Sequence, residues 1–216
     1  MISLKWAENR SDSAEGLTHP SFFFIFCLRH LKRSESSRAN RSVKAVEKER
    51  GGFPREGSMK IRPLIEKDRA TLLSILIKTR AFNAAEIDVA MELIDVVLKD
   101  RTQKDYQIDC MVEDQDVVIG YICYGPTPMT EGTFDLYWIA VDTDFQERGA
   151  GSKLLGFLEN AVKAMGGRMI LADTSTVPVY EKTRKFYLKN GFQEVARVPD
   201  YYYPGNDRIT FCRRLA

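Results

Sequence analysis

The segment from Thr133 to Gly167 constrains the fold of this chain most strongly, because a strand pattern passes directly into a helix pattern. TFDLYWIAVD is rich in aromatic and β-branched residues, which are typical of a strand. FQERGAGSKLL follows it, with Gly149 and Gly151 near the start of a run whose apolar residues recur at helical spacing. That apolar face consists of Leu154, Leu155, Leu158, Val162 and Met165. The segment therefore predicts a strand, a tight turn and a helix.

The same kinds of pattern extend from residue 59 to the end of the chain and predict the order β-α-α-β-β-β-α-β-α-β-β. Asn83 is the expected N-cap of the second helix, and Gly191 is expected to end the last one. The final two strands, FQEVARV and RITFCRRL, are expected to flank the turn YYYPGND. Strands grouped between helices, with one crossover helix, predict a mixed α/β (α+β) domain of three layers, with a central sheet flanked by helices.

Residues 1–58 differ in composition from residues 59–216. They hold 11 Lys and Arg against 7 Asp and Glu, a net +4, whereas the remainder holds 21 against 23, a net −2. Their single apolar run, residues 21–28, is too short to span a bilayer. We interpret 1–58 as a disordered extension or as a mis-annotated leader before a true start at Met59, and 59–216 as the folded domain.

Composition narrows the class of partner. The net charge of only +2 gives no basic field for nucleic acid, and no segment predicts a membrane span. The four cysteines are scattered: Cys27, Cys110, Cys123 and Cys212. Sparse cysteines predict neither a metal site nor a disulfide framework, so we expect reduced thiols in a cytoplasmic protein.

The two glycines of FQERGAGSKLL have two possible explanations. Leu154 stands where a dinucleotide fingerprint needs its third glycine, and no earlier glycine completes a P-loop. A tight turn that needs glycine dihedrals is one explanation. The other is a phosphate-binding helix N-terminus, where free backbone N–H groups meet an anion.

The order of motifs adds a family resemblance. IAVDTDFQERGAGSKLL, followed by TRKFYLKNGF, resembles the GNAT superfamily of acetyl-CoA-dependent N-acetyltransferases across about residues 59–216. The resemblance implies a mostly antiparallel sheet splayed between the strand ending at Val141 and the strand 168–175. It also implies that the backbone of the first of these strands pairs with the pantetheine arm of acetyl-CoA, and that the glycine stretch binds the pyrophosphate. The residues concerned are Ile139, Ala140 and Val141 for the arm, and Gln146, Glu147, Arg148, Gly149, Ala150, Gly151 and Ser152 for the pyrophosphate.

The resemblance also suggests catalytic residues. Tyr187 matches the tyrosine of the family's FY-x(3)-GF motif and is expected to act as the general acid that protonates the leaving thiolate. Residues 59–216 contain no histidine, so Asp173 and Asp135 are the candidate bases, although each also fits a purely structural role. Tyr180 stands where many relatives carry asparagine, which leaves the contact with CoA and the placement of the base open.

The acceptor is predicted only as a primary amine of a small molecule or a peptide. Acidic residues of the second helix, Glu86 among them, either attract a cationic amine or form a solvated face. Tyr201, Tyr202 and Tyr203 either wall the acceptor site or shape a hairpin. A homodimer is possible. The alternative function is a non-catalytic acyl-CoA-binding module of the same fold.

Overall fold

The computed structural model of the protein describes residues 59–215, which form four α-helices and seven strands in the predicted order. The predictions for residues 1–58 lie outside the described residues. The helices are α1 (Asp68–Thr79), α2 (Ala84–Lys99), α3 (Ala150–Ala164) and α4 (Glu181–Lys189). The strands are β1 (Lys60–Pro63), β2 (Gln107–Glu113), β3 (Val117–Pro126), β4 (Thr133–Val141), β5 (Met169–Ser175), β6 (Gln193–Tyr203) and β7 (Asn206–Arg214).

All seven strands belong to one sheet in the order β1-β2-β3-β4-β5-β7-β6. Every neighbouring pair is antiparallel except β4 and β5, which run parallel because the crossover helix α3 joins them. The prediction of a mixed, mostly antiparallel sheet flanked by helices is confirmed.

Two apolar cores lie on opposite faces of the sheet. On one face α1 and α2 bury Leu72, Leu76 and Ile94 against residues of β2, β3 and β4. On the other face α3 buries Leu154 and Leu158 in a cluster that also includes residues of α4 and β7. Burial of one leucine side chain stabilises the fold by about 1.5–3 kcal/mol relative to its exposure. The helical spacing of apolar residues in the sequence therefore gives the three-layer arrangement.

The start of α2 follows the predicted cap. Asn83 accepts a hydrogen bond from the backbone N–H of Glu86 at 3.0 Å, and the Glu86 carboxylate accepts one from the backbone N–H of Asn83 at 2.8 Å. This capping box satisfies two backbone donors that the helix itself leaves without partners.

An arginine on the edge strand β1 ties that strand to α1. The Arg62 guanidinium donates to both oxygens of Asp68, at 2.7 and 2.9 Å, and to Asp116 at 2.6 Å. Asp68 is only 1% exposed and also accepts from the backbone N–H of Ile65 at 2.9 Å. Burial acts to raise the pKa of Asp68, but these hydrogen bonds outweigh it, and the pKa is lowered. The carboxylate therefore stays ionised inside the domain.

The last hairpin differs from the prediction. The three tyrosines assigned to the turn YYYPGND instead complete β6, which runs to Tyr203, and only Pro204 and Gly205 separate it from β7. The pairing of β6 with β7 jumps from Val198–Arg208 to Tyr203–Asn206, so β6 carries a long bulge in this stretch. Tyr201 and Tyr202 lie within that bulge.

Among residues 59–215, none of the helices has the length and hydropathy needed to cross a bilayer. The three described cysteines, Cys110, Cys123 and Cys212, are buried and free; Cys27 lies outside the described residues.

Candidate active site

The sheet splits between β4 and β5. These strands pair only at Thr133–Met169, Phe134–Ile170 and Asp135–Leu171, although both continue for several residues. The pairing of β4 with β3 shifts at the same level, from Cys123–Trp138 to Tyr124–Leu136, so Tyr137 is an extra residue. Such a bulge bends a strand and increases its twist, which accounts for the separation of β4 from β5.

Beyond the bulge, Ile139, Ala140 and Val141 form the edge of β4 that β5 leaves unpaired. Each pairs with β3 on one side, and the pairing with β5 ended at Asp135. The side chain of Gln146 donates a hydrogen bond to the Val141 carbonyl at 3.0 Å. Gln146 therefore fixes the end of β4, a role that the sequence did not indicate.

The glycine stretch begins α3 at the mouth of the split. Gly149 is the N-cap residue, with a φ of 80°, and its Cβ position has no atom within 4 Å. No side chain among residues 59–215 caps the helix, so within this part of the chain the N–H groups of its first turn have no intrahelical or side-chain partner. Such an open helix N-terminus suits an anion.

Position 151 needs a glycine for a different reason, which is close packing. A Cβ there would lie 3.0 and 3.1 Å from atoms of the Phe186 ring. Gly151 thus lets α4 pack closely on α3. This contact brings Tyr187, the next residue of α4, toward the split.

The remaining residues of the glycine stretch are arranged as follows. Ala150 is 1% exposed, so only its backbone is available to a ligand. Glu147 has a left-handed φ of 65°, and the Arg148 guanidinium lies 5.2 Å from the Phe145 ring centroid. Ser152 is exposed in the first turn of α3.

Tyr187 lies in the core beneath the split. It is 5% exposed, and its ring centroid lies 5.3 Å from that of Phe192 and 5.5 Å from that of Phe211. Burial raises the pKa of Tyr187, and the negative charge of Asp173 raises it further. The phenol is therefore protonated at neutral pH, and it lies close enough to Asp173 for the charge of that carboxylate to affect its pKa.

The two predicted carboxylates lie on either side of the split. Asp135 accepts a hydrogen bond from Thr127 at 2.8 Å, and burial together with the charge of Asp173 raises its pKa. Asp173 accepts from Thr210 at 2.6 Å and is 36% exposed. The structure thus brings Asp135, Asp173 and Tyr187 into one neighbourhood, in which the charge of Asp173 raises the pKa of both Asp135 and Tyr187.

Tyr180 and Arg208 join this neighbourhood, and the sequence did not single out either contact. The Tyr180 hydroxyl donates to Glu86 at 2.8 Å, linking the start of α4 to the start of α2. Arg208 of β7 lies 3.7 Å from Asp173 (Nε to Oδ2), and Tyr202 has a pKa raised first by burial and then by Asp173. The one sequence feature that pointed toward these contacts was Tyr180, which stands where many relatives carry asparagine.

Comparison with known proteins agrees with this geometry. The acetyltransferase (GNAT) domain family matches residues 107–194. A GNAT-family protein structure from Desulfovibrio desulfuricans is 38% identical and covers 74% of this chain and 100% of its own, with a TM-score of 0.69. The search of curated proteins gave no match.

Two more distant structures share the fold alone. An aminoglycoside 6'-N-acetyltransferase complexed with coenzyme A is 17% identical, with a TM-score of 0.57 and coverage of 73% of this chain and 97% of its own. The ribosomal-protein-S18-alanine N-acetyltransferase from Escherichia coli is 18% identical, with a TM-score of 0.54 and coverage of 73% and 94%.

The split sheet and the open helix N-terminus beside it define an acyltransferase. The chain belongs to the GNAT family of N-acetyltransferases.

Proposed function

We propose that this protein transfers an acetyl group from acetyl-CoA to the primary amine of a small molecule or peptide by direct attack, with Tyr187 as the general acid. One observation carries the proposal: the sheet opens after three residue pairs, and Tyr187 and Asp173 share the neighbourhood of that opening. The free cysteines suit a reducing compartment, and we place the reaction in the cytoplasm.

The residues at the split fit acetyl-CoA. The free edge of Ile139 to Val141 offers backbone groups to the amides of the pantetheine arm. The uncapped turn that follows Gly149 offers N–H groups to the pyrophosphate, and the open space at this glycine lets the phosphates approach the backbone. Bound acetyl-CoA supplies the thioester that is to be attacked.

The reaction forms a carbon–nitrogen bond and breaks the carbon–sulfur bond of the thioester. An ammonium group first loses one proton to become the nucleophile. The neutral nitrogen then loses a second proton on forming the amide while the leaving sulfur gains one, so the overall exchange releases one proton and needs no oxidant. A backbone N–H at the free edge near Val141 is our candidate donor to the oxyanion. Loss of a single such donor typically lowers kcat by about 10²–10³-fold.

We propose that Tyr187 protonates the leaving sulfur, because its phenol is buried and close to Asp173. Its raised pKa keeps the proton in place until it is needed. Transfer from a phenol to a thiolate is uphill by about 1.36 kcal/mol for each unit of pKa difference, and we propose that deprotonation of the amine offsets this cost. Asp173 and Asp135 are the candidate acceptors of the amine proton.

A thiol-release assay with acetyl-CoA and a panel of primary amines tests the proposal. We expect Tyr187→Phe to lower kcat by about 10²-fold or more while acetyl-CoA still binds, which is the usual contribution of a general acid. Tyr124→Phe is the matched control, because it removes another buried hydroxyl, one that donates to Asp109 of β2 at 3.1 Å and to none of the predicted site residues. It should lower stability and leave kcat unchanged.

Two results would count against the proposal. Full activity of Tyr187→Phe removes Tyr187 from the mechanism. Tight binding of acetyl-CoA by the unmodified protein, with no turnover on any amine, favours a non-catalytic acyl-CoA-binding module instead.

A further inference from the structure

Within residues 59–215, no helix covers one face of the C-terminal half of the sheet. Helices α1 and α2 pack on β2, β3 and β4, whereas Asp173, Arg208 and Thr210, which point to the same side from β5 and β7, remain at least partly exposed. Asp173 and Thr210 are paired residues on this face, and Arg208 lies two residues from Thr210 on the same strand. Since the face borders the split, a molecule bound there has access to the neighbourhood of Tyr187.

Arg208 is held in place on this face, but the N–H groups of its guanidinium donate no hydrogen bond to residues 59–215. Its guanidinium carbon lies 4.5 Å from the centroid of the Tyr201 ring, a cation–π contact that holds the group against the ring. Its Nε is buried without a hydrogen-bond partner, and its closest approach to a carboxylate is the 3.7 Å contact with Asp173. The guanidinium makes no hydrogen bond to any residue between 59 and 215.

Other partly buried arginines of the described chain behave differently. Arg62 donates to two carboxylates, Arg184 to the carbonyls of Ser175 and Val177, and Arg213 to Glu159 and a carbonyl. Each of these arginines joins parts of the fold. Arg208 joins none by a hydrogen bond, although its position is fixed by stacking.

We propose that Arg208 binds a carboxylate of the acceptor, and that the acceptor is a small amino acid or a similar primary amine that carries a carboxylate close to the nitrogen. The inference rests on the acetyl transfer proposed above and names its substrate class. A planar guanidinium with free N–H groups binds a carboxylate through two parallel hydrogen bonds, and stacking reduces the entropy lost on binding.

The neighbouring charges match both ends of such a molecule. Asp173 suits the ammonium group and Arg208 the carboxylate, and their side chains are 3.7 Å apart. This short distance favours an amine and a carboxylate on the same carbon or on adjacent carbons.

Two acidic residues of α2 are less available to a polycation. Both carboxylate oxygens of Glu86 are already used, one by the Tyr180 hydroxyl and one by the backbone N–H of Asn83. Asp95 is paired with Arg69 at 2.5 Å. Asp173 and Arg208 are joined only by a 3.7 Å ion pair, so their charges are more available to a ligand than those of Glu86 and Asp95.

The test compares amino acids with the amines that lack only the carboxylate, for example alanine with ethylamine and phenylalanine with phenylethylamine. We expect kcat/KM from thiol release to be higher for the amino acid of each pair. Arg208→Gln should lower kcat/KM for the amino acids by about 10- to 100-fold, the usual effect of removing a charged hydrogen-bond donor, and change that of the simple amines less than about threefold. Arg208→Lys should retain part of the preference.

The matched control is Arg197→Gln, which removes an arginine of β6 that is paired with Glu194 and Asp207. It should leave the preference unchanged. Equal kcat/KM within each pair, or an unchanged preference in Arg208→Gln, overturns the inference while acetyl transfer stands.

Absence of turnover on every amine refutes the proposed function, and calorimetry then tests Arg208 alone. In that experiment N-acetylalanine and N-ethylacetamide are titrated into the unmodified protein and into Arg208→Gln. Binding of N-acetylalanine that is lost in the variant supports the carboxylate site. Equal binding of N-acetylalanine to both proteins, or to neither, overturns it.

Discussion

Replacing Arg62 with methionine isolates the buried carboxylate of Asp68. The substitution keeps an apolar side chain of similar length and removes the two hydrogen bonds of 2.7 and 2.9 Å. Asp68, at 1% exposure, then retains the backbone N–H of Ile65 and the Cys110 thiol as its hydrogen-bond partners. Removing one partner of a buried ion pair costs about 3–5 kcal/mol, and the 22% exposure of the Arg62 side chain places the expected loss near the lower end.

The loss should depend on pH in a defined direction. With Arg62 present the pKa of Asp68 is lowered, so its contribution to stability exists above its unfolded pKa of about 3.9 and is lost as the pH falls. Without Arg62, burial raises that pKa above the unfolded value. The Asp68 contribution in the variant is then fully present below about pH 3.9 and is lost as the pH rises through the folded pKa. The two proteins should therefore differ more at pH 7 than at pH 4.5.

Urea denaturation followed by circular dichroism at both pH values measures these differences. Arg69→Met is the matched control, because the Arg69–Asp95 pair is exposed and solvent screening leaves such a pair little effect on stability at either pH. A loss for Arg62→Met below about 1 kcal/mol at pH 7, or one that grows on acidification, would refute the reasoning.

Two further predictions concern the split. Gly151→Ala should destabilise the protein by about 1–3 kcal/mol, because the added methyl group would contact the Phe186 ring. Phe186→Leu should relieve this loss but not the loss caused by Gly149→Ala, which comes from the φ of 80° at Gly149. Thermal melts of the single and double variants measure both effects, and equal rescue of the two glycine variants would contradict these explanations. Asp135→Asn should unfold at a higher temperature than the unmodified protein at pH 7, and this gain should shrink toward pH 4. Burial and then the charge of Asp173 raise the pKa of Asp135, so the contribution of Asp135 to stability is lost as the pH rises through that pKa. A lower melting temperature at pH 7 would show that the ionised carboxylate stabilises the fold.

Local patterns in the sequence predicted most of the fold. Asn83 and Glu86 stand three residues apart, so their capping box depends only on neighbouring residues. The crossover helix α3 and the parallel pairing of β4 with β5 follow from one apolar-faced helix between two strands. The glycine stretch was predicted at the start of α3, although its two glycines are needed for different reasons, one for backbone conformation and one for packing.

The contacts that complete the site depend on residues far apart in the chain, and for this reason the sequence did not reveal them. Tyr180 and Glu86 are 94 residues apart, and their hydrogen bond depends on the placement of α4 relative to α2. The stacking of Arg208 on Tyr201 depends on the bulge in β6, where three consecutive tyrosines and a Pro-Gly pair gave the pattern of a turn. Aromatic residues suit strands and turns alike, so only the pairing with β7 decides between them.

The short contact between β4 and β5 means that this sheet is two smaller sheets joined by three residue pairs. The free edges inside it resemble the outer edges of other sheets, where unpaired backbone groups can recruit a strand from another molecule. A ligand that pairs with the free edge of β4 acts as a missing strand, and at 100 times its dissociation constant it stabilises the folded chain by about 2.7 kcal/mol. Under the proposed function acetyl-CoA would be this ligand, and the same opening that would admit it leaves an unpaired strand edge in the protein without ligand.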